Sequence, residues 1–208
     1  MTTLALLRHG PTVWNSQHRL QGHTDLPLSA EGRARVVGWR LPPEVAGFRW
    51  WCSPLRRARE TAELLGEAVP DRPDIAVELR LMEMSYGEWE GETLDHLRQH
   101  HGEQMAQWEA QGLDLRPPGG ESPREVQQRL RPWLASIGQD GGNHFAVVHK
   151  GVIRAIYAMA TGWTMERKAP DRLAYDCLQL FALDADGKPS VQALNVPLTG
   201  GSAAGAAA

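Results

Sequence analysis

Short apolar runs alternate with amphipathic stretches along most of this chain, and this alternation limits its fold more than any other feature. The runs have the length and composition of buried β-strands, and they span residues 4–7, 48–52, 75–79 and 145–148. The stretches between them predict helices over residues 30–41, 54–68, 122–138 and 151–161. Strands that alternate with helices favour an α/β fold. The pattern therefore predicts a three-layer sandwich, with a mostly parallel central sheet and helices on both faces.

Two segments depart from this rhythm. Residues 178–183 and 191–196 alternate apolar and polar positions around an Asp-Ala-Asp-Gly turn, which is typical of an antiparallel C-terminal hairpin. Further upstream, two additional helices are predicted over residues 92–101 and 103–112, before a Pro/Gly-rich exit. We interpret residues 84–120 as a helical cap insertion over one end of the sheet.

Length and composition predict one globular domain. A chain of 208 residues has the length of a single domain with an insertion. Its hydrophobic and charged fractions, 42% and 23%, are ordinary for a globular protein. The last nine residues contain only Gly, Ser and Ala and cannot bury a core. We therefore expect a domain over residues 1–199 and a flexible tail over residues 200–208.

Charge and cysteine content exclude several classes of protein. With 22 Lys and Arg against 25 Asp and Glu, the net charge of -3 does not favour a nucleic-acid partner. No apolar run approaches the roughly 18 residues that a membrane span needs, so no membrane partner is expected. The two cysteines have no CxxC spacing and HExxH is absent, so no metal site is predicted. A reducing compartment fits this cysteine usage, and we expect the protein in the cytoplasm.

Polar residues follow the predicted strands at the edge where open α/β sheets bind ligands. Arg8 and His9 follow the first strand, Arg56 lies in the first helical turn after the second, and His149 follows the fourth. If the first and fourth strands are neighbours, the two imidazoles lie side by side with the arginines around them. Such a cluster of positively charged and donor side chains suits a phosphoryl group, because arginine binds two phosphoryl oxygens at once and keeps its charge.

The same residues suggest a chemistry. One imidazole can attack phosphorus if its attacking nitrogen is unprotonated, and the second can stabilise the charge of the transition state. A carboxylic acid must protonate the leaving alcohol. The stretch after the third strand offers Glu83, with Glu88 and Glu90 as alternatives, and composition does not choose among them.

The helix after the second strand carries three arginines. Ser53 is predicted as its N-cap and Pro54 as its first residue. We expect Arg57 and Arg59 on its exposed face, where long charged side chains remain solvated.

Five ordered motifs closely resemble those of the histidine phosphatase superfamily, in the phosphoglycerate mutase-like branch 1. The first is Arg-His-Gly-Pro-Thr-Val-Trp-Asn over residues 8–15, which fits the pattern RHGxTxxN. The others lie at residues 53–62, 81–91, 119–122 and 147–149. The motifs stand in the family's order, and the resemblance covers roughly residues 3 to 196. The resemblance implies this family's α/β fold.

The resemblance also implies a role for individual residues. His9 would be the nucleophile that becomes phosphohistidine, and Glu83 the proton donor. The rest of the phosphate pocket would be formed by Arg8, Arg56 and His149. Residues expected to contact the substrate around it are Asn15, Gln21, Gly22, Tyr86 and Lys150. No metal or organic cofactor is implied.

The function expected on this basis is hydrolysis of small phosphorylated metabolites by a phosphomonoesterase, acting as a monomer or homodimer. Members of the family act on sugar phosphates, phosphoglycerates, α-ribazole phosphate and phosphoproteins. One alternative is phosphoglycerate mutase-type phosphotransfer, which is disfavoured because Gly151 replaces an Asn of the mutases. Lys150 also stands where the family often has a small residue. A second alternative is a non-catalytic module that binds a phospholigand.

Overall fold

The structure, a computed structural model, describes residues 1–198. The predicted tail, residues 200–208, lies outside the described residues. One six-stranded sheet forms the centre of the fold. Its strands are β1 (Thr2–Arg8), β2 (Arg49–Cys52), β3 (Ile75–Val77), β4 (His144–Val148), β5 (Cys177–Leu183) and β6 (Pro189–Pro197).

The sheet is parallel on one side and antiparallel on the other. Its strand order is β3-β2-β4-β1-β5-β6. The β3–β2, β2–β4 and β4–β1 pairs are parallel, whereas β5 pairs antiparallel with both β1 and β6. The expected mostly parallel sheet and C-terminal hairpin are therefore confirmed. The two strands that His9 and His149 directly follow, β1 and β4, are neighbours in the sheet.

Helices cover both faces of the sheet, as predicted. They are α1 (Val13–Ser16), α2 (Ala30–Val37), α3 (Pro43–Ala46), α4 (Arg56–Glu67), α5 (Leu94–His101), α6 (Glu103–Glu109), α7 (Pro123–Asp140) and α8 (Lys150–Thr161). The buried side chains of α7 and α8 pack against Leu4 and Leu6 of β1 and form one core with them. Residues of α2 and α4 pack with Ala5 and Leu7 in a second core. Alternate β1 side chains thus face opposite layers, because successive residues of a strand point to opposite sides.

Predicted and observed boundaries differ mainly at turns. Helix α2 ends at Val37 because Gly38 is its C-cap and the chain turns toward Pro43. Helix α4 begins at Arg56, two residues later than predicted, with Leu55 as N-cap. The predicted capping box of α7 is present: Ser122 accepts from the Glu125 N–H, and the Glu125 carboxylate accepts from Ser122.

The segment between β3 and α7 has its own small core. Trp89, Leu97 and Met105 are buried together there, and the ring centroids of Trp89 and Trp108 are 5.3 Å apart. Helix α5 begins after Thr93, whose hydroxyl accepts from the N–H of residue 96. The segment thus contains two helices, as predicted, held together by aromatic and aliphatic contacts. Within residues 1–198, no helix combines the length and the apolar character needed to cross a bilayer.

Candidate active site

The register of β1 and β4 brings His9 and His149 together. Arg8 is paired with Val148, and the His9 N–H donates to the Val148 carbonyl at 2.9 Å. The centroids of the two imidazole rings are 5.2 Å apart, and both residues are almost fully buried. Because β1 and β4 are parallel and end at the same level, the two histidine side chains lie next to each other at the carboxyl edge of the sheet.

The protonation pattern of His9 follows from its hydrogen bond. Its Nδ1 lies 2.7 Å from the Gly10 carbonyl oxygen, which only accepts, so Nδ1 carries the proton. Burial, with the charges of Arg8 and Arg57, holds the pKa of His9 well below its usual range. The imidazole is therefore neutral near pH 7, with its lone pair on Nε2. This is the form that a nucleophilic histidine requires.

Ser53, which the sequence predicts as a helix N-cap, instead lies beside His149 and orients its ring. Ser53 is not a helix cap. Its hydroxyl lies 2.7 Å from His149 Nε2 and accepts a longer bond, 3.4 Å, from the Leu55 N–H. The serine proton is then available to His149 Nε2, and Nδ1 carries the proton of the neutral ring. Burial, and then the charge of Arg57, lowers the pKa of His149 well below its usual range.

Arg57, and not Arg56, is the arginine that α4 contributes to the site. Arg57 has 0% exposure, and it donates to the Gly22 carbonyl at 2.7 Å and the Thr24 carbonyl at 2.9 Å. The expectation that it lies on the exposed face is therefore wrong. Its charge contributes to the lowered pKa of both histidines.

Arg56 points away from the two histidines. Its side chain is 56% exposed and pairs with Glu60 at 3.3 Å, one turn along the helix. Its backbone N–H donates to Asp25 at 2.7 Å, so this first helical N–H is not free for an anion. The structure thus corrects the assignment of Arg56 to the phosphate pocket.

The sequence of α4 did contain the signal that separates these two arginines. The buried face of the helix also holds Ala58, Thr61, Ala62 and Leu65. Arg57 lies one turn before Thr61 on this face, whereas Arg56 lies one turn before the charged Glu60. Thr61 connects the two parts of the site, because its hydroxyl accepts from the Gly10 N–H at 2.9 Å and donates to the Arg57 carbonyl at 2.6 Å.

Glu83 is the carboxylate that the fold places beside the cations. It is 6% exposed, and its Oε1 accepts from the Met84 N–H at 2.9 Å and the Gly151 N–H at 3.0 Å. Its charge opposes the effect of burial on the pKa values of Arg8 and Arg57. These contacts leave Oε2 with one longer bond, 3.2 Å, to the Gly151 N–H.

The two alternatives to Glu83 occupy different environments. Glu88 is exposed. Glu90 is committed to the loop that precedes α2: its Oε1 accepts from the N–H groups of His23 and Tyr86, and its Oε2 from the Thr24 N–H and hydroxyl. Although burial opposes it, this set of bonds holds the pKa of Glu90 below its usual value. Glu90 is thus built into the wall of the site as a carboxylate.

The remaining candidate residues have distinct positions. Asn15 lies inside α1 as part of its capping box, and its side-chain oxygen accepts from the N–H of the N-cap residue Thr12 at 2.9 Å. Gln21 is buried, and Gly22 offers its carbonyl to Arg57. Tyr86 is half-buried, and burial raises the pKa of its hydroxyl.

The arrangement is suited to an anion. Within residues 1–198, several buried polar atoms have no hydrogen-bond partner, and four of them lie in these residues: Arg8 Nε, Arg57 Nε, His149 Nδ1 and Gln21 Oε1. The three nitrogens can donate hydrogen bonds, and two belong to permanent cations. In the same part of the chain, no group of three or more His, Cys, Asp or Glu side chains is arranged to hold a metal ion. The donor set therefore fits a phosphoryl group.

The buried histidines predict acid sensitivity of the fold. Burial lowers the pKa of His144, as it does for His9 and His149, and the Trp51 indole donates to His144 Nδ1 at 3.0 Å. Below the ordinary histidine pKa of about 6.5, the unfolded chain binds protons that the folded chain does not. The contribution of these histidines to the free energy of unfolding is therefore constant above this pH and falls below it, by up to about 1.4 kcal/mol per pH unit for each histidine.

Urea unfolding of the wild type and of His144→Asn, at about pH 8 and in steps below about pH 6.5, measures this contribution. The asparagine oxygen can still accept from Trp51, so the main change is the loss of a titrating group. We expect a smaller acid slope in the variant. An unchanged slope would show that His144 does not contribute.

Comparison with known proteins identifies the family. A profile of the histidine phosphatase superfamily (branch 1) matches residues 4–197. A 2,3-bisphosphoglycerate-dependent phosphoglycerate mutase of Gloeobacter violaceus is 33% identical over 198 residues, which cover 90% of this chain and 88% of that protein. An uncharacterised phosphatase of Bacillus subtilis, PhoE, is 32% identical over 86% of each chain.

A solved structure shows the same fold. The mycobacterial glucosyl-3-phosphoglycerate phosphatase in complex with VO3 superposes with a TM-score of 0.77 and is 27% identical. The match covers 94% of this chain and 100% of that one. The sheet order, the paired histidines and the profile match therefore lead to one conclusion: the chain belongs to branch 1 of the histidine phosphatase superfamily and is an enzyme of that family.

Proposed function

We propose that the protein is a phosphomonoesterase that hydrolyses small phosphorylated metabolites through a phosphohistidine intermediate on His9. One observation carries the proposal: a neutral His9, whose Nδ1 is bonded to Gly10, lies against His149 and between the charges of Arg8 and Arg57. The attacking Nε2 and the donors for phosphoryl oxygens thus share one buried position.

In the first step His9 Nε2 attacks phosphorus. A P–N bond forms, the ester P–O bond breaks, and the leaving oxygen takes the proton that Glu83 carries as a carboxylic acid in the enzyme–substrate complex. Arg8, Arg57 and the N–H of His149 balance the charge on the phosphoryl oxygens, which is where the transition state needs donors. The position of Glu83 supports this role, because its charge acts on both Arg8 and Arg57 and the Met84 and Gly151 N–H groups hold its carboxyl group in place.

In the second step water attacks phosphohistidine. Glu83, now a carboxylate, takes the proton from the water, the P–N bond breaks, and His9 is returned neutral with inorganic phosphate as product. The helical segment between β3 and α7, residues 84–120, is proposed as the cap that restricts what enters. The named activities of the relatives include both phosphatases and a mutase.

Rapid quenching with radiolabelled substrate tests the proposal. A phosphatase should form a base-stable, acid-labile phosphoenzyme and release inorganic phosphate from p-nitrophenyl phosphate and 3-phosphoglycerate. Formation of 2-phosphoglycerate with a bisphosphate primer, without phosphate release, would replace the proposal by phosphotransfer. Binding of phosphate without turnover of any ester would indicate the non-catalytic module instead.

Gly151→Ala should disturb Glu83 without removing it. A Cβ at position 151 would overlap Glu83 Oε1 and crowd the Met84 side chain, so the carboxyl group must move. General acid–base catalysis contributes about 10²–10⁴-fold, and we expect alkyl phosphates to lose about 10²-fold in kcat. The loss for p-nitrophenyl phosphate should be below about tenfold, because its leaving group needs no proton.

Gly47→Ala is the matched control, because a methyl group added there meets no atom within 4 Å. Its kcat for both ester classes should equal that of the wild type. Equal losses for alkyl and aryl esters in Gly151→Ala would contradict the assignment of Glu83 as the acid.

A further inference from the structure

A second group of cations lies beside the phosphate pocket and is not used by the mechanism. Lys150 Nζ is 5.2 Å from the centre of the Tyr175 ring, and the Arg8 guanidinium is 5.7 Å from the same ring. The Arg154 guanidinium is stacked at 4.8 Å on Trp163, and its positive charge opposes the rise that burial causes in the pKa of Tyr175. Tyr175 therefore connects Arg8, which belongs to the phosphate pocket, with two further cations.

These cations have little opposing charge. In the described part of the chain, Lys150, Arg154 and Arg8 form no ion pair with a carboxylate within 4.0 Å. Burial lowers the pKa of Lys150, and the charges of Arg8 and Arg154 lower it further, while Glu83 alone acts in the other direction. The cluster thus keeps like charges close together, which costs free energy unless an anion binds there.

A phosphoryl dianion does not need all of the cations around this site to balance its charge. Arg8 and Arg57 can neutralise its two charges, which leaves Lys150 and Arg154 without a counter-ion. Although the groups around Lys150 lower its pKa, part of the surface of this residue remains exposed to solvent, so a ligand can reach it. Tyr175 adds a hydroxyl, and the Arg154 guanidinium is stacked on the Trp163 ring.

We propose that Lys150, Arg154 and Tyr175 form a second anion-binding subsite that selects phosphate monoesters whose leaving group carries a carboxylate near the ester oxygen. The inference rests on the proposed phosphatase function and names its substrate class. Lys150 and Arg8 of the phosphate pocket lie against the same Tyr175 ring, so an anion bound at Lys150 lies close to the reacting phosphate. In this role Lys150 determines specificity, and it takes no part in bond breaking.

Phosphoglycolate and 2-hydroxyethyl phosphate test this subsite, because they differ only in a carboxylate against a hydroxymethyl group. We expect the wild type to prefer phosphoglycolate by at least about tenfold in kcat/KM, mainly through KM, as one charge-assisted contact implies. Lys150→Met keeps the aliphatic stem and should reduce this preference by about tenfold. Lys168→Met, at an exposed lysine elsewhere, should leave the preference unchanged.

The outcomes separate the two proposals. If the wild type hydrolyses p-nitrophenyl phosphate and both esters but shows no preference, the subsite is refuted and the phosphatase function stands. Equal losses on both esters in Lys150→Met also refute it, because Lys150 would then bind the transferred phosphoryl group. If no ester is hydrolysed, the phosphatase function fails and the inference fails with it.

Discussion

His9→Ala should lower kcat for phosphate ester hydrolysis by at least about 10⁴-fold, the range found when a covalent nucleophile is removed. The physical reason is the loss of Nε2, the lone pair that the Gly10 hydrogen bond and the lowered pKa of His9 keep available. Neighbouring groups still bind phosphate but cannot replace the covalent step. Steady-state assays with p-nitrophenyl phosphate measure this loss, and rapid quenching should show no labelled enzyme.

Substitution of an exposed histidine is the control that separates loss of the nucleophile from a general effect of replacing histidine by alanine. His96 is exposed on α5, and His96→Ala should keep kcat within about twofold of the wild type. A His9→Ala variant that retained both turnover and a base-stable adduct would show that another residue is the nucleophile.

Arg57→Ala should lower kcat/KM by about 10²–10³-fold, the effect of removing one donor to a developing charge. It should also weaken competitive inhibition by inorganic phosphate, because the guanidinium is buried beside His9 and His149. Arg56→Ala should change neither quantity by more than about twofold, because its partner is Glu60 at the surface. The pair of adjacent arginines is therefore a direct test of which helix face supplies the pocket.

Folding must be checked for Arg57→Ala, since the side chain also supports the carbonyls of Gly22 and Thr24. Arg57→Lys keeps the charge but loses the planar fork, so we expect it to recover phosphate inhibition only in part. Thermal unfolding of both variants identifies any loss of structure. If Arg56→Ala had the larger catalytic effect in folded protein, the assignment of Arg57 would be wrong.

Much of the fold was predictable because local patterns agreed with the tertiary structure. The strands β1, β2 and β4, the hairpin of β5 and β6, and the capping box of α7 follow from apolar runs and turn residues, which depend on neighbours in the chain. Their parallel ends also brought His9 and His149 to one edge. The position of the third strand placed several glutamates near this edge, and the resemblance to the family singled out Glu83 among them.

The chain's sequence by itself determined the α/β layers, the two histidines at neighbouring strand ends and the motif series of the family. Tertiary structure decided which arginine of α4 enters the site, that Ser53 holds His149 and caps no helix, and that Glu90 belongs to the wall. It also joined Lys150 to Tyr175, 25 positions further along. The physical reason is that hydrophobic periodicity records which side of an element is buried, whereas the partners of a buried polar group come from distant segments and exist only after packing.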